Sequence, residues 1–131
     1  MRKLQVACLV PMVVVLAGFV LLGESLQKGE EALIQKKYQQ AAGHLRKALE
    51  EETEGRRDRV LLLLARAQGL AGQHAEAGAT YQRLISGHAT SPLRAKARFH
   101  QAEEHAADGK YREAAIIFRD EVDRLIGLGR K

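Results

Sequence analysis

The chain of 131 residues has no tryptophan, two prolines, one cysteine, three tyrosines and three phenylalanines. A single cysteine excludes an intramolecular disulfide framework. The scarcity of proline removes the commonest helix breaker, while alanine, leucine, glutamine and charged residues that favour helices are abundant. No stretch beyond the N-terminus alternates apolar and polar residues as a half-buried strand would. These features predict an all-α chain that forms one small domain.

A strong excess of one charge is also lacking. The formal net charge is +5, and Arg2 and Lys3 supply two of those units. Such a balance does not by itself indicate nucleic-acid binding. A basic helical nucleic-acid binder is an alternative that would require strongly salt-dependent binding.

The one long apolar run lies at the N-terminus, in MRKLQVACLVPMVVVLAGFVLLG. From Leu4 to Leu22 a helix would be about 28 Å long, close to the thickness of the hydrocarbon layer of a bilayer. Residues 1–23 are therefore predicted to form a transmembrane signal anchor. A cleaved signal peptide is the alternative, with a cut after Ala17, but the apolar run continues beyond that position.

Charges on the two sides of this run predict its orientation. Arg2 and Lys3 precede it, whereas Glu24, Glu30 and Glu31 follow it. Because positive charge is retained on the cytoplasmic side, the N-terminus is expected in the cytoplasm. The remaining domain would then lie on the outer side of the inner (cytoplasmic) membrane, or free in the periplasm if the segment is cleaved.

Three similar lines recur in the rest of the chain: KKYQQAAGHLRKAL from Lys36, GQHAEAGATYQRLI from Gly72 and GKYREAAIIFRDEV from Gly109. Their apolar positions are spaced by three, four and four residues, which places them on one face of an amphipathic helix. The four shared columns are Tyr38, His74 and Tyr111; Ala41, Ala77 and Ala114; Leu45, Tyr81 and Phe118; and Leu49, Ile85 and Val122.

A second apolar helical face precedes each line, so every repeat is predicted to be a helical hairpin, at about residues 24–57, 58–92 and 93–128. Gly72 and Gly109 mark the turns, since glycine accepts the positive φ that follows a helix C-terminus. The first repeat has Lys36 at this place, so its turn is expected to be strained or built differently. Ser91 followed by Pro92 predicts the start of the third hairpin.

These lines resemble the tetratricopeptide repeat (TPR) family, whose unit of about 34 residues is a helix pair that stacks into a superhelix. The slightly long spacing is similar to that of bacterial cell-envelope members. The resemblance implies an α-solenoid of about three hairpins and a scaffold that binds a protein or peptide. The matching residues are Gly29, Tyr38, Ala41, Leu45 and Ala48; Ala65, Gly72, Ala77, Tyr81 and Leu84; and Ala102, Gly109, Tyr111, Ala114 and Phe118.

Catalytic and metal motifs are weak. HQAEEH, from His100 to His105, separates its two imidazoles by five residues, whereas a zinc-protease helix needs four so that both rings share one face. We therefore expect a solvated His100 and a His105 used in packing or in a groove; a metal-dependent hydrolase is the alternative that bound zinc would support. The glutamate runs, including Glu103 and Glu104, are expected to be solvated. Neither enzymatic activity nor a cofactor is predicted.

Two surfaces are predicted to bind partners. In the resembled family the leading helices line a concave groove, which corresponds here to Leu26, Glu30 and Leu33 together with Arg59, Leu62, Arg66, Lys96, Phe99 and Glu103. Its cations suit a peptide that carries a carboxylate. The last helix carries more apolar residues than one neighbour can cover, which predicts self-association or a partner at Ile117, Phe118, Val122, Leu125 and Ile126.

Overall fold

Every regular element is helical in the computed structural model, which describes residues 23–52 and 54–129. Helix α1 covers residues 23–34, and a short 3₁₀ turn, Glu54–Arg56, precedes α3. The other helices are α2 (Tyr38–Glu51), α3 (Arg57–Leu70), α4 (His74–Gly87), α5 (Arg94–Ala107) and α6 (Tyr111–Gly129).

The same turn joins the two helices of each hairpin. Lys36, Gly72 and Gly109 have φ angles of 59°, 82° and 77°. In each turn the next residue donates its N–H to a carbonyl five residues back: Lys37 to Ala32, Gln73 to Gln68 and Lys110 to His105. This is the Schellman arrangement, which satisfies the last carbonyls of the first helix. The glycine turns are confirmed, and the first turn has the same build with a lysine in the left-handed region.

Small side chains allow the helices to approach closely. Ala41 and Ala77 are fully buried and Ala114 is 4% exposed, so the alanine column predicted from the sequence lies at the helix contacts. Gly29 has a similar function in α1, because a Cβ there would lie 2.6 Å from Cγ of Leu45. A methyl group at this position would push α1 and α2 apart.

Consecutive helices pack in chain order, α2 on α3, α3 on α4, α4 on α5 and α5 on α6. The main apolar core extends from Leu26 in α1 to Ala97 in α5. A separate, smaller cluster of Ala102, Ala114 and Ile117 joins α5 to α6. The prediction of an all-α chain is confirmed for the described residues, and its consecutive helix pairs are packed as in an α-solenoid.

The predicted membrane anchor, residues 1–23, falls almost wholly outside the described residues. Within residues 23–52 and 54–129, no helix combines the length and the apolar character needed to cross a bilayer.

The start of the third hairpin differs slightly from the prediction. Ser91 Oγ accepts a hydrogen bond from the N–H of Leu93, and α5 begins at Arg94 without a side-chain cap. Ser91 also donates to the Asp58 carboxylate at the start of α3, and this bond lowers the pKa of Asp58 despite its partial burial. Ser91 therefore ties the connection between α4 and α5 to the second hairpin.

Candidate functional site

A hollow of about 590 Å³ lies along α3 and the C-terminal half of α1, next to the start of α2. Its volume is within the range of small-ligand and peptide side-chain pockets. The residues that line it are Glu30, Leu33, Ile34, Lys36, Tyr38, Arg59, Leu63, Arg66 and Leu70. We call this hollow the α1/α3 groove.

The apolar part of the groove combines anchored and exposed side chains. Leu33 and Leu63 pack against the main core, so their positions are fixed by the fold. Ile34 and Leu70 end α1 and α3, and they are 81% and 49% exposed. Because water contacts these large side chains, a bound apolar group would gain burial against them.

Three cationic side chains line the groove, and one of them is paired with a carboxylate within it. Arg59 forms a salt bridge with Glu30 across α1 and α3, with 2.5 Å between Nη2 and Oε1. Arg66 and Lys36 are exposed and form no salt bridge with any residue in the described part of the chain. A guanidinium beside an apolar floor can bind a carboxylate through two parallel hydrogen bonds.

The structure places only some of the predicted groove residues in the α1/α3 groove. Arg59 and Arg66 share the α1/α3 groove with Glu30 and Leu33, whereas Leu62 is 8% exposed and belongs to the core. Lys96, Phe99 and Glu103 lie on α5 and do not line this groove. Glu103 is hydrogen-bonded to His100 on its own helix.

The predicted interaction face on α6 is mostly exposed. Phe118, Val122, Leu125 and Ile126 are between 37% and 48% exposed, whereas Ile117 is 8% exposed and packs into the small cluster between α5 and α6. Phe118 stacks on Phe99 of α5, with 6.0 Å between the ring centres. This contact joins one residue predicted for the groove to one predicted for the α6 face.

Sequence reasoning missed five groove residues: Ile34, Lys36, Tyr38, Leu63 and Leu70. The predicted residues of α1 and α3 stop at Leu33 and Arg66, whereas the hollow extends to the C-terminal ends of both helices and onto the start of α2. A usable signal was present, since Ile34 and Leu70 are large apolar residues just before a turn and outside the buried stripe.

A second hollow, of about 260 Å³, lies between α4 and α5 and is lined by His74, Glu104 and His105 among others. Four of its ionisable side chains lie in pairs, since His74 Nδ1 lies 2.6 Å from Glu104 Oε2 and Lys110 Nζ lies 2.7 Å from Asp108 Oδ2. This pairing leaves less for a ligand to bind than the α1/α3 groove offers.

The expected solvation of His100 and Glu104 is wrong. His100 is half-buried and stacks on Tyr81 with 5.9 Å between ring centres, while Glu104 is held between His74 and the backbone of Gly69, where a Cβ would collide with its carboxylate. His105 lines the second hollow. In the described ranges, 23–52 and 54–129, no three His, Cys, Asp or Glu side chains are placed to hold a metal ion.

Comparison of the chain with protein-family models finds no match, and a search of curated proteins finds no similar sequence.

Proposed function

We propose that this chain is a TPR-type scaffold that binds a protein or peptide partner in the cell envelope through the α1/α3 groove. Residues 1–23 would anchor it in the inner membrane, with the N-terminus in the cytoplasm and the helical domain in the periplasm. The observation that carries the proposal is the groove itself, in which Arg66, with no salt-bridge partner among the described residues, stands beside exposed Leu70 and Ile34.

The chemistry of the groove supports one class of ligand, an extended peptide with a carboxylate. Leu33, Leu63 and Leu70 offer an apolar floor that suits one large apolar side chain of an extended peptide. Arg66 and Lys36 supply positive charge for a carboxylate, either the peptide C-terminus or an acidic side chain. The salt bridge between Arg59 and Glu30 joins the two helices, and Arg66 has no such partner within the described residues.

Binding of defined peptides by the full-length chain in detergent tests the proposal. The probes are fluorescent peptides that end in an apolar residue and a free carboxylate, compared with the same peptides amidated at the C-terminus. We expect Arg66→Ala to weaken binding of the free-carboxylate peptides about tenfold, because it removes a charge-assisted hydrogen bond.

Arg83→Ala is the matched control, since Arg83 is also an exposed helical arginine but lies outside the groove. It should leave the affinity unchanged. Equal loss of binding in both variants, or equal affinity for free and amidated peptides, would contradict a role of Arg66 as the carboxylate ligand.

A secreted periplasmic form of the same binding protein is the alternative, because a cleavable signal also begins with basic and apolar residues. The intact mass of the protein recovered from cells separates the two. A mass that retains residues 1–23 supports the anchor, and loss of the first 17 residues or more supports secretion.

A further inference from the structure

The outward face of α6 has the residue spacing of a coiled-coil seam. Tyr111, Ala115, Phe118, Val122 and Leu125 are all exposed, and they follow one another at intervals of four, three, four and three residues. This alternation keeps them in one stripe that can face another helix along its length. We call these five residues the α6 seam.

The first two hairpins contain residues equivalent to Phe118 of the α6 seam, and there these residues are buried. Leu45 in α2 and Tyr81 in α4 occupy the column of Phe118, yet they are 0% and 1% exposed while Phe118 is 37% exposed. Helix α2 packs against α3, and α4 packs against α5. The surface that α6 leaves open is therefore, in this fold, a surface that takes a further helix.

Helix α1 of another copy is poorly suited to pack on the α6 seam. Its outward residues at helical spacing are Glu24, Gln27, Lys28 and Glu31, all exposed and polar. Stacking α1 on the α6 seam would bury these groups against apolar side chains at a cost in desolvation. Head-to-tail growth of the array is thus disfavoured.

We propose that the α6 seam binds the α6 seam of a second copy, antiparallel, around a twofold axis at residue 120. Such an axis places Phe118 beside Val122 of the second copy, and Ala115 beside Leu125 of the second copy. Tyr111 comes opposite Gly129, which has no side chain. Each large residue faces a smaller one, which is the pattern that lets two helices interdigitate.

The charges along the seam are compatible with this pairing. Arg119 of the two copies would meet near the axis, where each forms a salt bridge with Asp120 of its own chain, with 3.5 Å between Nη2 and Oδ1. The border of the interface at the axis therefore carries no net charge. Towards the ends, the apolar stem of Arg112 would cover Ile126 of the second copy while its charged head stays in water.

The size of the seam sets the strength of the interaction. Helix α6 has 19 residues, about 28 Å at 1.5 Å per residue, and pairing it would bury on the order of 400 Å² per copy, below the roughly 800 Å² of a typical stable interface. A reversible dimer with a Kd on the order of micromolar is expected.

Disulfide trapping tests the register of the pairing. In a full-length chain with Cys8→Ser, two differently tagged variants, Phe118→Cys and Val122→Cys, are mixed in detergent and oxidised. The mixed dimer should form several-fold faster than the dimer of either variant alone, because only residues 118 and 122 of opposite copies come within disulfide distance. Equal rates of trapping for all three products would overturn the register.

The substitution Val122→Asp tests the dimer itself by sedimentation of the full-length chain. It should abolish the dimer and keep the helical circular dichroism, since Val122 is 44% exposed and contributes little to the core. Ile34→Asp changes an even more exposed apolar residue on α1 and should leave the dimer intact. A monomeric wild-type chain at about 100 μM, well above the expected Kd, or a dimer that survives Val122→Asp, would overturn the proposal.

A monomeric chain whose seam captures a helix of a different protein would also overturn it. These outcomes are separate from peptide binding by the α1/α3 groove, because the groove contains no α6 residue. Either proposal can therefore fail while the other stands.

Discussion

Glu121 is 2% exposed, in a column that holds Ala48 in the first hairpin and Leu84 in the second. Its carboxylate accepts hydrogen bonds from Arg124 on its own helix and lies 3.5 Å from Nη1 of Arg94 on α5. Burial alone would raise the pKa of Glu121, but these bonds and the charges of Arg124, Arg94 and Arg98 lower it overall. An ion pair therefore replaces apolar packing at the contact between α5 and α6.

Replacing Glu121 by Gln should make the free energy of unfolding less dependent on pH in the acidic range. A lowered pKa means that the carboxylate stabilises the fold above its unfolded pKa, near 4.5, and that this contribution is lost as pH falls through the folded pKa. We expect Glu121→Gln to lower the free energy of unfolding by about 1–2 kcal/mol at neutral pH. The difference from wild type should shrink below about pH 4.5, measured by urea unfolding across pH.

Glu113→Gln, an exposed change on the same helix, should alter stability by less than about 0.5 kcal/mol. A constant difference between wild type and Glu121→Gln from pH 7 to pH 3 would show that the charge of Glu121 contributes nothing.

At the scale of helices and turns, the same helical hairpin occurs three times, and its first copy has Lys36 at the turn position where the other two have glycine. The spacing of the apolar residues and the two glycines predicted the six helices of the three hairpins and both glycine turns, because helix periodicity and positive φ depend on local sequence. At Lys36 the expected strain is present, since a lysine occupies the left-handed region at φ 59°, but the turn has the same build as the two glycine turns. The packing of α1 on α2 imposes the left-handed conformation on a residue that does not favour it.

Replacing Lys36 by Gly should therefore stabilise the protein. The left-handed conformation costs an L-residue about 1 kcal/mol more than glycine, so we expect the free energy of unfolding to rise by about 0.5–1 kcal/mol. Gly72→Ala places a side chain in the equivalent turn, at φ 82°, and should lower stability by a similar amount. Thermal unfolding, monitored by circular dichroism, measures the stability of both variants. If Lys36→Gly lowered the stability, the lysine side chain would contribute more to stability than its left-handed backbone conformation costs.

At the scale of the whole molecule, the core becomes thinner along the chain. The first two hairpins share a continuous cluster with several fully buried leucines and Tyr81, whereas α6 is held by Ala114, Ile117 and the Glu121 ion pair. Local stability follows the number of buried apolar contacts. The third hairpin is therefore expected to open more readily than the first two.

Native-state hydrogen exchange should show this gradient. In the Val122→Asp variant, which removes the proposed dimer, amides in the C-terminal half of α6 should exchange first and those of α3 last. Local opening of α6 is expected to require at least about 2 kcal/mol less than global unfolding. Uniform protection across all six helices would indicate a single cooperative unit instead.

The sequence by itself determined the helices, the hairpin turns and the order in which hairpins pack, because each depends on periodicity and on residues close together in the chain. It also predicted four of the groove residues, Glu30, Leu33, Arg59 and Arg66, and the exposed stripe of α6. Only the tertiary structure decided which side chains share a hollow, since that depends on how α1, α2 and α3 converge. It also decided that Leu62, Ile117 and Glu121 are buried, because a rotation of a few tens of degrees about a helix axis separates core from surface.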